Sequence, residues 1–218
     1  MALNINGTTG ISGVEGSVSA PVLTGTDSNC GISFPAADTI KFSTGGVERM
    51  SITNSGVSGI TQGKILQVIQ VEKTDTFSSN SDTFVDLTGL SATITPSATS
   101  SKVLVIASLV FGGSNDAYGA GQLVRGSTVL GLAPAAGSRT QSTFTLNGEG
   151  DTNQHKLQNL GFTYLDSPST TSATTYKLQG RTYTGDNRYF TINRSHLDGD
   201  NGYNQRGTSR ILLMEVAA

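Results

Sequence analysis

The sequence predicts an all-β protein with an N-terminal extended arm, a short intertwined β-shaft and a C-terminal antiparallel β-sandwich of jelly-roll type. Three observations support this fold class. Strand and turn formers dominate, with 26 Ser, 29 Thr and 27 Gly among 218 residues. No segment keeps an apolar period of 3.6 residues, so helices should be short or absent. Roughly ten short strand-like runs, separated by turn residues, follow residue 62, as expected for a two-sheet sandwich.

Residues 1–31 are rich in Gly, Ser and Thr and carry only isolated apolar side chains. Such a segment cannot bury enough apolar surface to fold alone, which predicts an extended arm. Its apolar residues are interpreted as contacts to a larger assembly or to sister chains. These anchoring candidates are Ile5, Ile11, Val14, Val18 and Val22.

Residues 32–62 are assigned to the shaft, because the stretch ISFPAADTIKFSTGGVERMSITNSG contains two hairpin-like units. Its supply of apolar side chains is nearly limited to Ile32, Phe34, Ile40, Phe42, Val47, Met50 and Ile52. Short strands with so little to bury need a core supplied by neighbours. The segment therefore predicts an intertwined homo-oligomer.

Residues 63–218 are assigned to the sandwich. KILQVIQVEK alternates with period two and predicts a strand buried on at least one side. KVLVIASLVF, residues 102–111, is the most apolar run and predicts a central strand. The first strand and the last, SRILLMEV, are both apolar, and we expect them to pair side by side; the alternative places them in different sheets.

The composition of the chain argues against nucleic-acid binding and membrane insertion. Charged residues make up 14% and the net charge is −2, so no basic stripe is available for nucleic acid. No apolar run approaches the roughly 20 residues of a membrane span, and the N-terminus lacks the features of a signal peptide. We therefore expect synthesis in a cytoplasm and no membrane insertion. Cys30 is the only cysteine and is expected to be a free, packed thiol.

Catalysis has little support in the sequence, and we expect no enzymatic activity. His196 follows Ser195 directly, and neighbouring strand residues point to opposite faces, which does not suit a nucleophile and base. Carboxylate pairs of the kind that hydrolyse glycans exist at Glu149 with Asp151 and at Asp198 with Asp200. Loop carboxylates beside glycine are more often turn formers.

Asp198 and Asp200 also head a loop, DGDNG, whose clustered oxygen atoms are of the type that Ca²⁺ accepts. They are the candidate metal ligands, with a solvated turn as the alternative. No other cofactor is expected.

Several motifs, which occur in a fixed order along the chain, resemble those of a known protein family. The stretch from Ile32 to Gly56 resembles a pattern of bacteriophage tail-fibre and virion-fibre proteins. The C-terminal part of the chain resembles C-terminal domains of marine bacteriophage structural proteins. The motifs that carry this resemblance are GKILQV…TDTF…FVDLTGLS…SSKVLV, VRGST, SPSTTSATTYKLQ and LLMEVAA. The resemblance implies a homotrimeric virion fibre or spike, anchored by its arm, that attaches to the host surface through its C-terminal knob. The alternatives are a capsid decoration protein without a receptor and, less favoured, a glycan-degrading tailspike.

For a knob mounted on a shaft, loops opposite the shaft carry recognition. Tyrosines with polar neighbours suit a host glycan or protein, because they combine an apolar ring with a hydroxyl. The predicted contact loops cover residues 113–121, 184–189 and 197–206. The candidate contact residues are Tyr118, Arg188, Tyr189, Tyr203 and Asn204. The alternative is that several of these tyrosines pack between subunits.

Overall fold

A computed structural model describes residues 4–6, 10–12, 16–59, 65–114, 117–147, 154–183 and 188–217. The described residues contain strands and no helix, which confirms the all-β prediction. Accordingly, no helix in this part of the chain has the length and apolarity to cross a membrane. The chain divides into two compact units, Met1–Gln62 and Gly63–Ala218, called here the N-terminal and C-terminal units.

The N-terminal unit contains a two-stranded hairpin and a five-stranded antiparallel sheet in the order β3-β4-β5-β6-β7. Its strands are β1 (Asn4–Asn6), β2 (Gly10–Ser12), β3 (Leu23–Thr24), β4 (Gly31–Ser33), β5 (Ile40–Thr44), β6 (Val47–Thr53) and β7 (Gly56–Ser58). The two predicted hairpins are present as β4–β5 and β5–β6. Gly45 and Gly46 have φ angles of 61° and 72°, the geometry of a type I′ turn that only glycine adopts without strain.

The sheet also crosses the expected border between arm and shaft at residues 31 and 32. Leu23 and Thr24 form a strand that pairs with β4, and Gly31 lies inside β4. Backbone pairing of these residues was not visible in the sequence, because Leu23 is the only large apolar residue of β3. Part of the stretch assigned to the arm is therefore built into the same sheet as the shaft hairpins.

The C-terminal unit is an antiparallel sandwich of two sheets. One sheet has the order β8-β18-β11-β17-β9, with β15 also paired to β11; the other has the order β10-β16-β12-β13, with β14 paired to β12. The strands are β8 (Ile65–Lys73), β9 (Phe77–Ser79), β10 (Val85–Ile94), β11 (Lys102–Gly113), β12 (Gly119–Arg125), β13 (Thr128–Leu130), β14 (Phe144–Thr145), β15 (Gln158–Asp166), β16 (Thr174–Thr182), β17 (Phe190–Ile192) and β18 (Ser209–Val216). They are called the β11 sheet and the β16 sheet below.

The core lies between the two sheets, and alternate residues of each strand enter it. Val105, Leu109, Leu123, Leu178 and Leu213 are completely buried there. The predicted central strand is β11, which pairs with β15, β17 and β18. The first and last strands of the unit pair with each other, as expected.

Two local details differ from the sequence-based interpretation. In the sequence, Thr88 and Gly89 separate the strand-like runs TFVDL and LSATIT, which predicts two strands with a turn between them. The structure has one strand here, β10, whose pairing shifts between Asp86 and Ser91. Gly89, with φ +87°, lies at that irregularity, so the glycine that suggested a turn marks a bulge instead. Strand β9 was missed because three residues, two of them serine, carry no recognisable alternation.

A buried carboxylate joins β8, β18 and the turn after β10. Glu215 is completely buried, and its two oxygens accept hydrogen bonds from Gln67 Nε2 and from the backbone and hydroxyl of Ser97, each at 2.7 Å. Burial alone would raise the pKa of Glu215, but the hydrogen bonds from Gln67, Ser97 and Ser101 outweigh it and lower the pKa to about 2.

A second buried carboxylate links the two sheets. Asp166, at the end of β15, accepts two hydrogen bonds from Arg125 Nη1 at 2.8 and 2.9 Å. It also accepts the phenolic hydrogen of Tyr176 at 2.6 Å. Burial, followed by the adjacent Asp166 charge, raises the pKa of Tyr176 far above its usual value. The strands that carry these groups are thereby fixed relative to each other.

Candidate functional site

The sheet of the N-terminal unit has one apolar face. Residues paired across antiparallel strands point to the same side, and Ile32, Phe42 and Met50 are successive partners across β4, β5 and β6. The same side carries the other large apolar residues of the sheet. This apolar face consists of Leu23, Ile32, Ile40, Phe42, Val47, Met50, Ile52 and Val57.

The opposite face of the sheet is polar, and its side chains form contacts with one another. Lys41 and Glu48 form an ion pair of 2.7 Å, and the hydroxyls of Ser51 and Ser58 hydrogen-bond at 2.7 Å. None of the residues of the apolar face is fully buried, and Val47 is 51% exposed. Within the described part of the chain, the N-terminal unit therefore lacks a hydrophobic core of its own.

The outer side of the β11 sheet carries a second uncovered apolar surface. Val68, Met214, Leu104 and Leu165 form one cross-strand row over four neighbouring strands. The next row includes Leu212 and Ile106. These six residues form the aliphatic patch; Val68 and Leu165 are each 51% exposed, and the other four are half-buried.

Charges lie at the two ends of the aliphatic patch and not within it. Lys102 is at one end, and Glu72 lies opposite Arg210 at the other. Association over the centre of the patch would therefore remove apolar surface from water without burying an unpaired charge. Two separate units thus each present an apolar sheet face to solvent.

A small concave site lies on the outer side of the β16 sheet. Ala120 of β12 is paired with Thr145 of β14 on one side and with Arg181 of β16 on the other. The small side chain of Ala120 leaves a depression between its two larger neighbours. Tyr118 directly precedes β12 and Tyr183 directly follows β16, and the Tyr183 N–H donates to the Tyr118 carbonyl at 3.0 Å.

We call this depression the tyrosine bowl. It has a cavity volume of about 230 Å³ and is lined by Tyr118, Gly119, Ala120, Thr140, Ser142, Thr145, Asn147, Arg181 and Tyr183. Gly119 is required there, because a side-chain carbon at this position would collide with the Leu146 carbonyl oxygen. Both tyrosines are more than half exposed, so their rings are available to a ligand.

The structure brings some predicted contact residues together and separates others. The Arg188 guanidinium lies 5.3 Å from the ring centre of Tyr118, a cation–π contact at the edge of the bowl. The next residue, Tyr189, donates its backbone N–H to the Ser114 hydroxyl, and its ring centre lies 5.9 Å from that of His196. Tyr203 instead packs edge-on against His155, with ring centres 4.7 Å apart.

Asn204 holds its own loop together. Its amide oxygen lies 2.6 Å from His155 Nδ1, and its amide nitrogen donates to the Gly199 carbonyl at 2.8 Å. Both polar atoms of the side chain are thus engaged within the chain. The neighbouring Tyr203 is 62% exposed and presents a free ring surface.

Asp198, one of the two candidate metal ligands, has cationic neighbours. Arg206 Nη2 lies 2.8 Å and Arg194 Nη1 lies 3.7 Å from Asp198 Oδ2. Among the described residues, no three His, Cys, Asp or Glu side chains are grouped closely enough to hold a metal ion. The calcium site at Asp198 and Asp200 stays a sequence-based prediction.

The described histidines and their serine neighbour have contacts within the fold. Ser195 is completely buried and donates its hydroxyl hydrogen to the Leu197 carbonyl at 3.0 Å. Burial, with a smaller contribution from Arg194, lowers the pKa of His196. The other candidate carboxylate pair, Glu149 and Asp151, lies outside the described residues.

The anchoring candidates are spread over the N-terminal unit. Ile5 and Ile11 are paired across β1 and β2, whereas Val14 lies outside the described residues. Val18 and Val22 are half-buried, and the Val22 N–H donates to the Ile32 carbonyl at 3.0 Å. Val22 therefore abuts the five-stranded sheet.

Sequence reasoning missed Thr145, Asn147 and Arg181 as companions of Tyr118. Only strand register brings them together, since β14 and β16, which carry Thr145 and Arg181, both pair with β12 from distant parts of the sequence. Arg181 lies in β16, where the alternate residues Lys177 and Gln179 are also polar. This alternation indicates that Arg181 points outward but does not identify its neighbours.

No protein-family model matches the chain, and no curated protein matches it. Solved structures of infectious bursal disease virus are similar over much of its length. The Gt strain structure has 14% identity and a TM-score of 0.38, covering 94% of this chain and 56% of that chain. A viral particle structure has 11% identity, a TM-score of 0.39 and coverages of 93% and 54%.

The VP2 subviral particle of the same virus has 11% identity and a TM-score of 0.36, covering 83% of this chain and 48% of that chain. The chain thus spans about half the length of the solved chains that it matches. Similarity at this level assigns no function, which has to be argued from the residues of the chain itself.

Proposed function

We propose that the protein is a structural component of a bacteriophage particle, a homotrimeric fibre or spike that attaches to the host surface through its C-terminal unit. The observation that carries the proposal is the apolar face of the N-terminal unit, whose large side chains are covered by no hydrophobic core among the described residues. The resemblance of residues 32–56 to bacteriophage fibre proteins supports the viral role.

A sheet without a core is stable only when another surface covers it. The covering surface has to be present when the chain folds, and the partner that accompanies every chain at synthesis is another copy. The aliphatic patch of the C-terminal unit supports the same conclusion independently. Its neutral centre and apolar character are typical of permanent subunit interfaces.

Host attachment is supported by the exposed tyrosines of the C-terminal unit. Tyr118, Tyr183 and Tyr203 are all more than half exposed, although burying an aromatic ring is favourable. Exposed rings with polar neighbours are typical of recognition surfaces. The mechanism is binding without chemical turnover, and several weak sites on one trimer raise the effective affinity.

The N-terminal hairpin is proposed to hold the trimer on the particle. Deleting residues 2–15 removes β1 and β2 but leaves the strands of the five-stranded sheet. The deleted protein should keep its oligomeric mass and be missing from purified particles when it replaces the full chain. Incorporation at the normal level would contradict the anchoring role.

The viral role is tested by quantitative mass spectrometry and labelled-antibody electron microscopy of purified particles. A few copies at a tail or vertex support a fibre or spike that attaches to the host. A copy number that matches the capsid lattice, with unchanged adsorption after its removal, would support a decoration protein. Absence from particles would overturn the proposal.

A further inference from the structure

We propose that the tyrosine bowl binds a sugar ring that carries a carboxylate, such as a uronic or sialic acid residue of a surface glycan. This inference rests on the proposed attachment function and assigns a ligand class to one of its surfaces. The inference is based on the guanidinium, two tyrosine rings and several neutral polar groups that surround this depression.

Arg181 differs from several other cations of the unit in its partners. Lys73, Arg125, Lys177 and Arg206 each form an ion pair of 2.8 or 2.9 Å with a carboxylate. Within the described part of the chain, no carboxylate pairs with Arg181. Its Nε makes a long contact of 3.4 Å to the Thr182 carbonyl, and its guanidinium lies 5.8 Å from the ring centre of Phe84.

A half-buried guanidinium without an anion is suited to receive one from a ligand. Its planar arrangement of donors matches a carboxylate in a bidentate manner, and such charge-assisted bonds are roughly twice as strong as neutral ones. No carboxylate side chain is among the described residues that line the bowl. An acidic ligand in the bowl would therefore lie beside the positive charge of Arg181, and no negatively charged side chain among the described lining residues would repel it.

The remaining lining groups suit a sugar better than a bare anion. The rings of Tyr118 and Tyr183 offer apolar surface with a polar tip, and one face of a sugar ring consists largely of C–H groups. Thr140, Ser142, Thr145 and Asn147 add hydroxyl and amide groups that both donate and accept hydrogen bonds. Sugar hydroxyls also do both, whereas a fully ionised inorganic anion such as sulfate only accepts.

The size of the depression limits what it holds. Its volume of about 230 Å³ is below the roughly 300–1,000 Å³ of sites for drug-sized ligands. The bowl therefore accommodates one sugar ring, and neighbouring rings of an oligosaccharide extend over the exposed tyrosines. We expect weak binding at each site, strengthened by the copies of the oligomer.

The test uses the purified full-length protein and matched sugar pairs. Tetraglucuronate is compared with cellotetraose, and sialyllactose with lactose, by saturation-transfer NMR and calorimetry. At least one acidic member should bind about tenfold more tightly than its neutral counterpart, the effect of one charge-assisted hydrogen bond. An excess of inorganic phosphate should not displace it.

Variants identify the site. Arg181→Gln and Tyr183→Ala should each reduce affinity for the acidic sugar about tenfold or more, whereas Arg49→Gln, an exposed position outside the bowl, should leave it unchanged. No preference for acidic sugars, displacement by an excess of inorganic phosphate, or unchanged binding by Arg181→Gln would each overturn the inference.

The native mass of each sample and its adsorption to host cells are recorded together with sugar binding. An oligomer that adsorbs to cells but binds no acidic sugar refutes this ligand and leaves the proposed function intact. A monomer that binds acidic sugars supports the bowl and contradicts the proposed assembly. Unchanged circular dichroism spectra of Arg181→Gln and Tyr183→Ala exclude loss of folding as the cause of weaker binding.

Discussion

Phe42 lies directly opposite Met50 across β5 and β6, on the face of the sheet where the described residues bury no large side chain completely. The pair is flanked by Ile32, the partner of Phe42 on β4. In a single chain, these three side chains are only half-buried. In an oligomer, they would form the core that the N-terminal unit lacks.

Substitution of Phe42 by glutamate should therefore disrupt assembly. A charge at the centre of an apolar interface costs more than about 2 kcal/mol, which weakens association roughly thirtyfold or more. Light scattering of the purified variant should show dissociation at concentrations where the unmodified protein is intact. Ser55→Glu, in the exposed turn between β6 and β7, is the matched control and should assemble normally.

The aliphatic patch allows an independent test. Val68→Glu combined with Leu165→Glu should lower the stability of the oligomer, because both residues lie in the central row of the patch. If the patch were a free monomer surface, each substitution would change stability by only about 0.5 kcal/mol. Ser91→Glu, exposed on the opposite sheet and paired with Lys177, serves as control. Thermal unfolding at several protein concentrations distinguishes a patch buried between subunits from a patch on a free monomer surface.

Asn193 should be essential for the fold of the C-terminal unit. This buried residue has φ +62°, and its amide group donates to the carbonyls of Lys73 and Asp75 at 2.7 and 2.9 Å. It also accepts the Ser209 hydroxyl hydrogen at 2.7 Å. Asn193→Ala should cost roughly 3–5 kcal/mol by leaving buried polar groups unpaired. Denaturant titration checks this, with the exposed Asn159→Ala expected to stay within about 0.5 kcal/mol of the unmodified protein.

Glu215 should make the C-terminal unit sensitive to acid. Its folded-state pKa of about 2 lies below the ordinary value of 4.5. The stability that this carboxylate contributes is therefore present above about pH 4.5 and is lost as the pH falls towards 2. Glu215→Gln should be less stable at neutral pH but should lose less stability over that interval. Equal slopes of unfolding free energy against pH in both proteins would contradict the assignment.

The sequence predicted the all-β class, the pairing of the first and last strands and the central position of β11, because these depend on apolar periodicity. It did not predict that Leu23 joins the five-stranded sheet, since β3 has only two residues. Nor did it identify the bowl. Ala120, Thr145 and Arg181 become neighbours only through strand register, which depends on packing between distant segments.

The candidate contact residues show the same limit. Tyr118 and Arg188 were selected from loop composition, and the structure places them in contact. Asn204 was selected for the same reason, but its amide group is engaged with His155 and Gly199. Loop composition indicates polarity, whereas the partners of each polar atom are determined by the folded chain.

The native mass of the purified full-length protein tests the central claim most directly. Light scattering over a range of dilutions should give three times the 22.6 kDa of one chain, and Phe42→Glu should lower that value. A full-length monomer with the β-rich circular dichroism spectrum and cooperative unfolding of a folded protein would contradict the account, because its apolar faces would then be stable in water without a partner.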